Sequence, residues 1–156
     1  MDHNSNAKKV LFLCTGNSAR SQMAEAILNK YACDRFEAHS AGLDPQGINP
    51  FARMVLEEAG INLDAQRSKS VKEYLAQVNI SYFITVCSHA EQNCPRAFLM
   101  SANKHLFWDF EDPAAFEGSH DQKLAKFREI RDKIDEKIRE WLHEQGCPVQ
   151  QPCISR

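Results

Sequence analysis

Residues Cys14-Thr15-Gly16-Asn17-Ser18-Ala19-Arg20-Ser21 set a thiol and a guanidinium six positions apart within one short segment. An apolar run, Val10-Leu11-Phe12-Leu13, comes before it. A helical spacing comes after it, with Met23, Ala26, Ile27 and Tyr31 on one face. A strand therefore ends here, the chain turns, and a helix begins. Turn amides and a helix N-terminus that open into one space bind an anion. The same donors stabilise a thiolate, typically bringing a cysteine from roughly 8.5 into the range of about 3.5–7.5. Cys14 is thus a candidate nucleophile and Arg20 a candidate oxyanion clamp. A guanidinium meets two oxygens of a tetrahedral anion with parallel hydrogen bonds, which a lysine cannot copy. Ser21 can bond the sulfur, and Asn17 suits the tight turn. A buried strand-end cysteine beside an exposed arginine is the plainer reading, and two fixed positions alone would favour it. Gly16, Asn17 and Ser21 inside a strand-to-helix junction favour the oxyanion loop.

The elements that must position this loop follow from periodicity. Lys8–Leu13 reads as a buried strand and Ser18–Tyr31 as a helix. Phe36–Ala41 is a second strand, ended by Gly42. Asn49-Pro50 starts a helix with Asn as N-cap, with Phe51, Met54, Val55 and Ala59 on one face and Gly60 at its end. Residues 62–70 are polar and irregular, and Val71–Val78 reads as a short helix. Ile80–Val86 is a β-branched, aromatic strand that delivers Cys87. Residues 88–93 suit one or two helical turns before Cys94-Pro95. Lys104–Trp108 is a short strand. From Asp121 to His143 an amphipathic helix carries Leu124, Phe127, Ile130, Ile134, Ile138 and Trp141, and Gly146 ends it. Strands alternating with helices give an α/β class, and in such parallel sheets ligands gather at the C-terminal ends of the strands. Topology alone then makes neighbours of the Cys14 loop, Cys87 and Asp112. Residues 8–145 form one domain, flanked by a flexible N-terminus (1–7) and a disordered tail (146–156).

Composition narrows the partners. At 156 residues the chain can bury a proper core, and a net charge of −2 with scattered Lys and Arg argues against nucleic acid. No apolar run reaches membrane-spanning length, and the first residues lack a secretion leader, which points to the cytosol. In that compartment six cysteines do not make a disulfide framework, and no close CxxC pair offers a zinc knuckle, so catalytic or redox cysteines remain. No metal is expected.

The stretch CTGNSARSQMAEA resembles the active-site loop of the low-molecular-weight protein tyrosine phosphatase superfamily, and within it most closely the thioredoxin-coupled arsenate reductases. The resemblance continues through Ser40-Ala41-Gly42, Thr85-Val86-Cys87-Ser88 to Cys94-Pro95, and Phe107 to Pro113, covering roughly residues 8–144. It implies a three-layer αβα fold with a four-stranded parallel sheet in the order 2-1-3-4. It implies arsenate as substrate, with phosphate or sulfate as analogues, held by residues Thr15, Gly16, Asn17, Ser18, Ala19, Arg20 and Ser21. Asp112 matches the general acid, with Glu111 and Asp109 as rivals by sequence alone. Cys14 would attack arsenate, Cys87 would displace arsenite by forming a disulfide with Cys14, and Cys94 would resolve it. An external dithiol protein would reduce the Cys87–Cys94 bond, so no cofactor is bound. Seven helical residues span about 10.5 Å, whereas a disulfide needs Cα atoms within roughly 6.8 Å, so a helix over 88–93 must unwind.

Reductases of this family often hold a potassium ion with residues matching Asn17, Glu25 and Ser40 and an aspartate. Here Lys69 takes the aspartate's position, so a lysine paired with Glu25 could replace the ion. Cys33 reads as packing, His89 as an exposed loop histidine that could assist a thiolate, and Trp108 and Trp141 as core. His39 and His105 have no Asp or Cys partner that sequence assigns. Cys147 and Cys153 could form a tail disulfide or relay electrons. The sequence leaves the electron donor open between thioredoxin, glutaredoxin and a small thiol. It leaves two further functions: a tyrosine phosphatase whose extra cysteines protect Cys14, weakened by Ala114-Ala115-Phe116 where such enzymes carry tyrosines, and a non-catalytic oxyanion sensor. A monomer is expected.

Overall fold

The computed structural model describes residues 6–31, 34–75, 79–96 and 104–149. Its elements are β1 (Lys8–Cys14), α1 (Arg20–Tyr31), β2 (Phe36–Gly42), α2 (Pro50–Glu58), β3 (Ile80–Thr85), α3 (Ser88–Asn93), β4 (Lys104–Phe107) and α4 (His120–Glu144). The strands pair in parallel in the order β2-β1-β3-β4, the α/β sheet expected from the sequence. Alternation along β1 splits its side chains between two faces. Phe12 meets Trp108 at 5.9 Å, and Trp108 meets Trp141 of α4 at 6.0 Å. Trp141 also meets Phe36 at a tilt and Tyr82 edge-to-face, so one aromatic layer fixes α4 to one face of three strands. Burying each such ring contributes roughly 1.5–3 kcal/mol.

Helix ends follow local chemistry. Asn49 caps α2 by accepting from the Phe51 amide, and Pro50 opens the helix. Ser119 and Gln122 form a reciprocal capping box that starts α4 one residue before the expected Asp121. Gly60 and Gly146 take left-handed φ values of 78° and 78° just past α2 and α4.

Three local expectations change. The α1 helix starts at Arg20 rather than Ser18, and it is buried over most of its circumference, Ser21, Gln22 and Glu25 included. Its inward face is thus not the simple Met23/Ile27 stripe. In α2 the buried residues are Ala52, Val55 and Leu56, while Met54 lies exposed; a one-position rotation of the helix brings Leu56 inward. Residues 71–74 form a single tight turn with Ser70 as its cap, so the short helix expected from Val71 stops at Tyr74. Its last expected residues, 76–78, lie outside the described residues, as do Cys33 and Cys153. Cys147 and Val149 pack against the core, and the Cys147 amide donates to the Leu142 carbonyl at 2.8 Å. At least the start of the presumed tail therefore belongs to the fold.

Candidate active site

The loop after β1 is shaped from outside. The carbonyls of Cys14, Thr15, Gly16 and Ser18 accept hydrogen bonds from the amides of Leu43, Asp44, Gln46 and Asn49 at 2.8–3.2 Å. Among the described residues all peptides are trans, so each outward carbonyl turns the next amide in the opposite direction. The loop therefore presents N–H groups inward, as an anion cradle requires. Gly42 makes this approach possible. A Cβ there would lie 2.7 Å from the Thr15 carbonyl oxygen and 2.8 Å from the Asn17 nitrogen, too close for any side chain. Asn17 adopts φ 45°, a left-handed turn that Asn tolerates better than most residues.

Asn17 is fully buried and bonded at every polar group of its side chain. Its Nδ2 donates to Ser21 Oγ at 2.8 Å and to Ser40 Oγ at 2.9 Å. Its Oδ1 accepts from the Lys69 amide at 2.9 Å and from Gln22 Nε2 at 3.0 Å. Ser40 in turn donates to Glu25 at 2.9 Å, and Lys69 Nζ lies 3.4 Å from the same Glu25 oxygen. Lys69 and Glu25 are only 10% and 8% exposed, so this pair is shielded from water. The residues present do not fit a further cation, because the ammonium already supplies the positive charge beside Glu25. One chain of contacts thus runs from Lys69 through Glu25, Ser40, Asn17 and Ser21 to Cys14.

At its inner end, Ser21 Oγ lies 2.8 Å from Cys14 Sγ, and the Asn17 amide donates to the sulfur at 3.1 Å. Ser21 accepts from Asn17, which leaves its own proton for the sulfur. Such donors alone would lower the thiol. Burial pushes the Cys14 thiol up, and it outweighs the downward pull of the Ser21 hydroxyl, the Ser21 and Asn17 amides and the Arg20 charge. The lowering expected from the loop and helix amides is thus outweighed in this structure.

Arg20 sits at the loop mouth. Its Nη1 donates to the Phe110 carbonyl at 2.9 Å, and its Nη2 lies 3.8 Å from Asp112 Oδ2. Asp112 caps the turn Pro113–Ala115 by accepting from the Ala114 amide at 3.0 Å. Glu111 turns away to Lys126 of α4 at 3.2 Å. Of these two neighbouring acids, Asp112 is the one that faces the clamp.

The register of β1 with β3 pairs Leu13 with Thr85, and the Val86 amide donates to the Leu13 carbonyl at 2.9 Å. This brings the residue after Val86 beside the loop. Cys87 is the N-cap of α3, accepting from the Ala90 amide at 3.4 Å, and Cys94 is the C-cap. Thr15 Oγ1 lies 3.6 Å from Cys87 Sγ and 2.8 Å from His89 Nδ1. At the other end, burial and then the Glu91 charge push the Cys94 thiol up to about 11. Glu91 ties α3 to the sheet, accepting from the Thr85 hydroxyl and bonding His105 Nε2 at 2.9 Å.

A model for the low molecular weight phosphotyrosine protein phosphatase family matches residues 9–150. The chain belongs to this family. Within the family it resembles an arsenate reductase of Halalkalibacterium halodurans, at 40% identity over 134 residues, covering 86% of this chain and 94% of that protein. A solved arsenate reductase in a phosphate-binding state superimposes with a TM-score of 0.74 at 28% identity, over 88% of this chain and 98% of the other. A thioredoxin-dependent arsenate reductase of Corynebacterium glutamicum gives 0.66 at 29% identity, over 90% of this chain and 62% of the other. An arginine phosphatase of Geobacillus stearothermophilus gives 0.73 at 26% identity, over 89% and 93%. Reductases and phosphatases of this family thus share the fold at similar similarity.

Some polar residues of the site were not singled out from sequence. Gln22 donates to the Asn17 and Arg67 carbonyls at 3.1 and 3.0 Å and so ties the loop to the segment that carries Lys69. Its one sequence signal is a polar residue on an otherwise buried helix. His39 bonds Glu37, and His105 bonds Glu91. The first pair is local to β2; the second depends on how α3 packs beside β4, which spacing does not reveal. Among the described residues, no group of three or more His, Cys, Asp or Glu could hold a metal ion. No helix among them is long and apolar enough to cross a membrane.

Proposed function

We propose that this protein reduces arsenate to arsenite through three cysteines, and that a thioredoxin-like dithiol protein regenerates it. The observation that supports this most is the placement of two further thiols at the ends of one short helix, with Cys87 touching Thr15 of the nucleophile's own loop. A phosphatase needs only Cys14, Arg20 and Asp112.

In this reading the inward amides of residues 15–21 and the Arg20 fork hold the arsenate. As arsenate enters, the Cys14 thiol passes its proton to an arsenate oxygen; Sγ then forms the S–As bond, and Asp112 gives a proton to the departing oxygen, which would otherwise leave as hydroxide. Cys87 thiolate then attacks Cys14 Sγ. The S–S bond forms, the S–As bond breaks, and its electron pair stays on arsenic, which leaves as arsenite. Two sulfurs are oxidised as As(V) becomes As(III). Cys94 attacks Cys87 next and frees Cys14. The Cys94 thiol, held high by burial and Glu91, becomes a better nucleophile once α3 opens. The Asn17–Glu25–Ser40–Lys69 network supports the loop without a potassium ion. The protein acts as a cytosolic monomer, where reduced dithiol carriers are at hand.

The test is arsenate-dependent NADPH consumption with thioredoxin and thioredoxin reductase. Turnover is expected in the native protein and its loss in Cys14→Ser, Cys87→Ser and Cys94→Ser. A second reading, phosphatase activity, is favoured by the intact Cys14, Arg20 and Asp112 set and the arginine phosphatase neighbour. Hydrolysis of a phosphate ester lost only in Cys14→Ser, with no arsenate turnover, selects it.

A further inference from the structure

We propose that His89 accepts the proton of Cys87 through the hydroxyl of Thr15. The inference rests on Cys87 being the resolving thiol. Thr15 Oγ1 lies between the two groups, 3.6 Å from Cys87 Sγ and 2.8 Å from His89 Nδ1. A hydroxyl has one proton to give and can accept two, so it can bridge in one sense at a time. With neutral imidazole, Cys87 S–H donates to Thr15, and Thr15 donates to Nδ1. Moving both protons one step gives the reverse arrangement. The imidazolium N–H then donates to Thr15, and Thr15 donates to a Cys87 thiolate. No atom besides the two protons needs to move, and the charge pair forms next to the sulfur that must attack.

Several other ionisable groups at this edge have partners of their own. Cys14 of β1 is bonded to Ser21. Arg20 of α1 and Asp112 of the loop after β4 face each other. Glu91 of α3 is held by Thr85 of β3 and His105 of β4. His89 shares α3 with Cys87, so the helix that carries the nucleophile also carries its proton acceptor. Imidazole is a common proton acceptor in catalytic sites, and its Nδ1 already bonds the bridging hydroxyl. His89 acts through Thr15 and is a positioning residue.

The experiment follows iodoacetamide labelling of Cys87 in the reduced full-length protein between pH 6 and 10, by fragment mass spectrometry. Labelling of Cys14 in the same samples serves as reference. His89→Asn keeps an acceptor for the Thr15 hydroxyl but cannot take its proton, and Thr15→Val removes the bridge. At pH 7 each substitution is expected to slow Cys87 labelling by about tenfold, one unit of thiol acidity, with the difference closing by pH 10. The double variant is expected to lose no more than either single one. A loss below about threefold, additive losses, or full rescue by Asn overturns the proposal. The labelling uses neither arsenate nor a carrier protein. Absent arsenate turnover with the labelling difference intact would remove the reductase reading and leave the proton pairing standing.

Discussion

The two cysteine-bearing segments of this protein are built in opposite ways. The loop from Cys14 to Ser21 is held from every side: its carbonyls by residues 43–49, its centre by Asn17, its back by Gly42 and the buried Lys69–Glu25 pair. The segment from Cys87 to Cys94 is a six-residue helix with exposed Ser88, His89, Gln92 and Asn93, fixed to the sheet mainly through Ala90 and Glu91. An oxyanion site needs preorganised donors that do not reorganise during reaction. A disulfide between the two ends of a helix needs that helix to open. The difference teaches that one fold keeps a rigid station and a soft one side by side.

Breaking the rigid side should have the largest effects. Arg20→Lys removes the fork and is expected to lower kcat/KM for arsenate by about 10²–10³, while thermal stability stays near the native value. Gly42→Ala drives a methyl into the Thr15 carbonyl and the Asn17 amide, and should cost about 1–3 kcal/mol in denaturant unfolding while weakening oxyanion binding. Had the loop been soft, neither loss would appear. Asn17→Ala leaves buried partners unsatisfied and should destabilise by a similar amount. On the soft side, Glu91→Gln should raise amide exchange in α3 and leave exchange in α1 unchanged, an effect of about 1 kcal/mol or less.

The pH behaviour of Cys94 sharpens the same contrast. Its thiol is raised from 9.0 to about 11 by burial and Glu91. Below the ordinary value both folded and unfolded chains keep the proton, and stability is unaffected. Above it the unfolded chain releases the proton while the folded one retains it, so stability falls between pH 9 and about 11. Urea midpoints should drop across that window in the native protein and drop less in Cys94→Ser. The smallest expected effect concerns the built-in ammonium. Activity at fixed ionic strength should be the same in potassium and sodium, and strong stimulation by potassium would contradict the role given to Lys69.

Much of this arrangement was readable in the chain. Strand–helix alternation implies the parallel sheet, and the rule that ligands gather at its C-terminal edge brings Cys14, Cys87 and Asp112 together. The Cys14 loop was legible because Cys, Gly, Asn, Arg and Ser each have a local task there. Lys69 beside Glu25 was reached through a family pattern, and the two side chains do meet. The rest depends on tertiary packing. Desolvation of Cys14 is set by the core around it, which no local motif reports. The Thr15–His89 contact joins residues 74 positions apart. The exposed face of Met54 depends on how α2 settles on α4, since neighbouring apolar side chains could have served equally.

The central claim is that oxidation passes from the rigid station to the soft one. It is tested by adding one equivalent of arsenate to the fully reduced protein without a carrier, quenching with acid, and mapping disulfides by mass spectrometry. One arsenite per chain is expected, with a Cys87–Cys94 disulfide and Cys14 free in the native protein, and a Cys14–Cys87 disulfide in Cys94→Ser. Arsenite formed in the native protein with Cys87 and Cys94 both still reduced would contradict it.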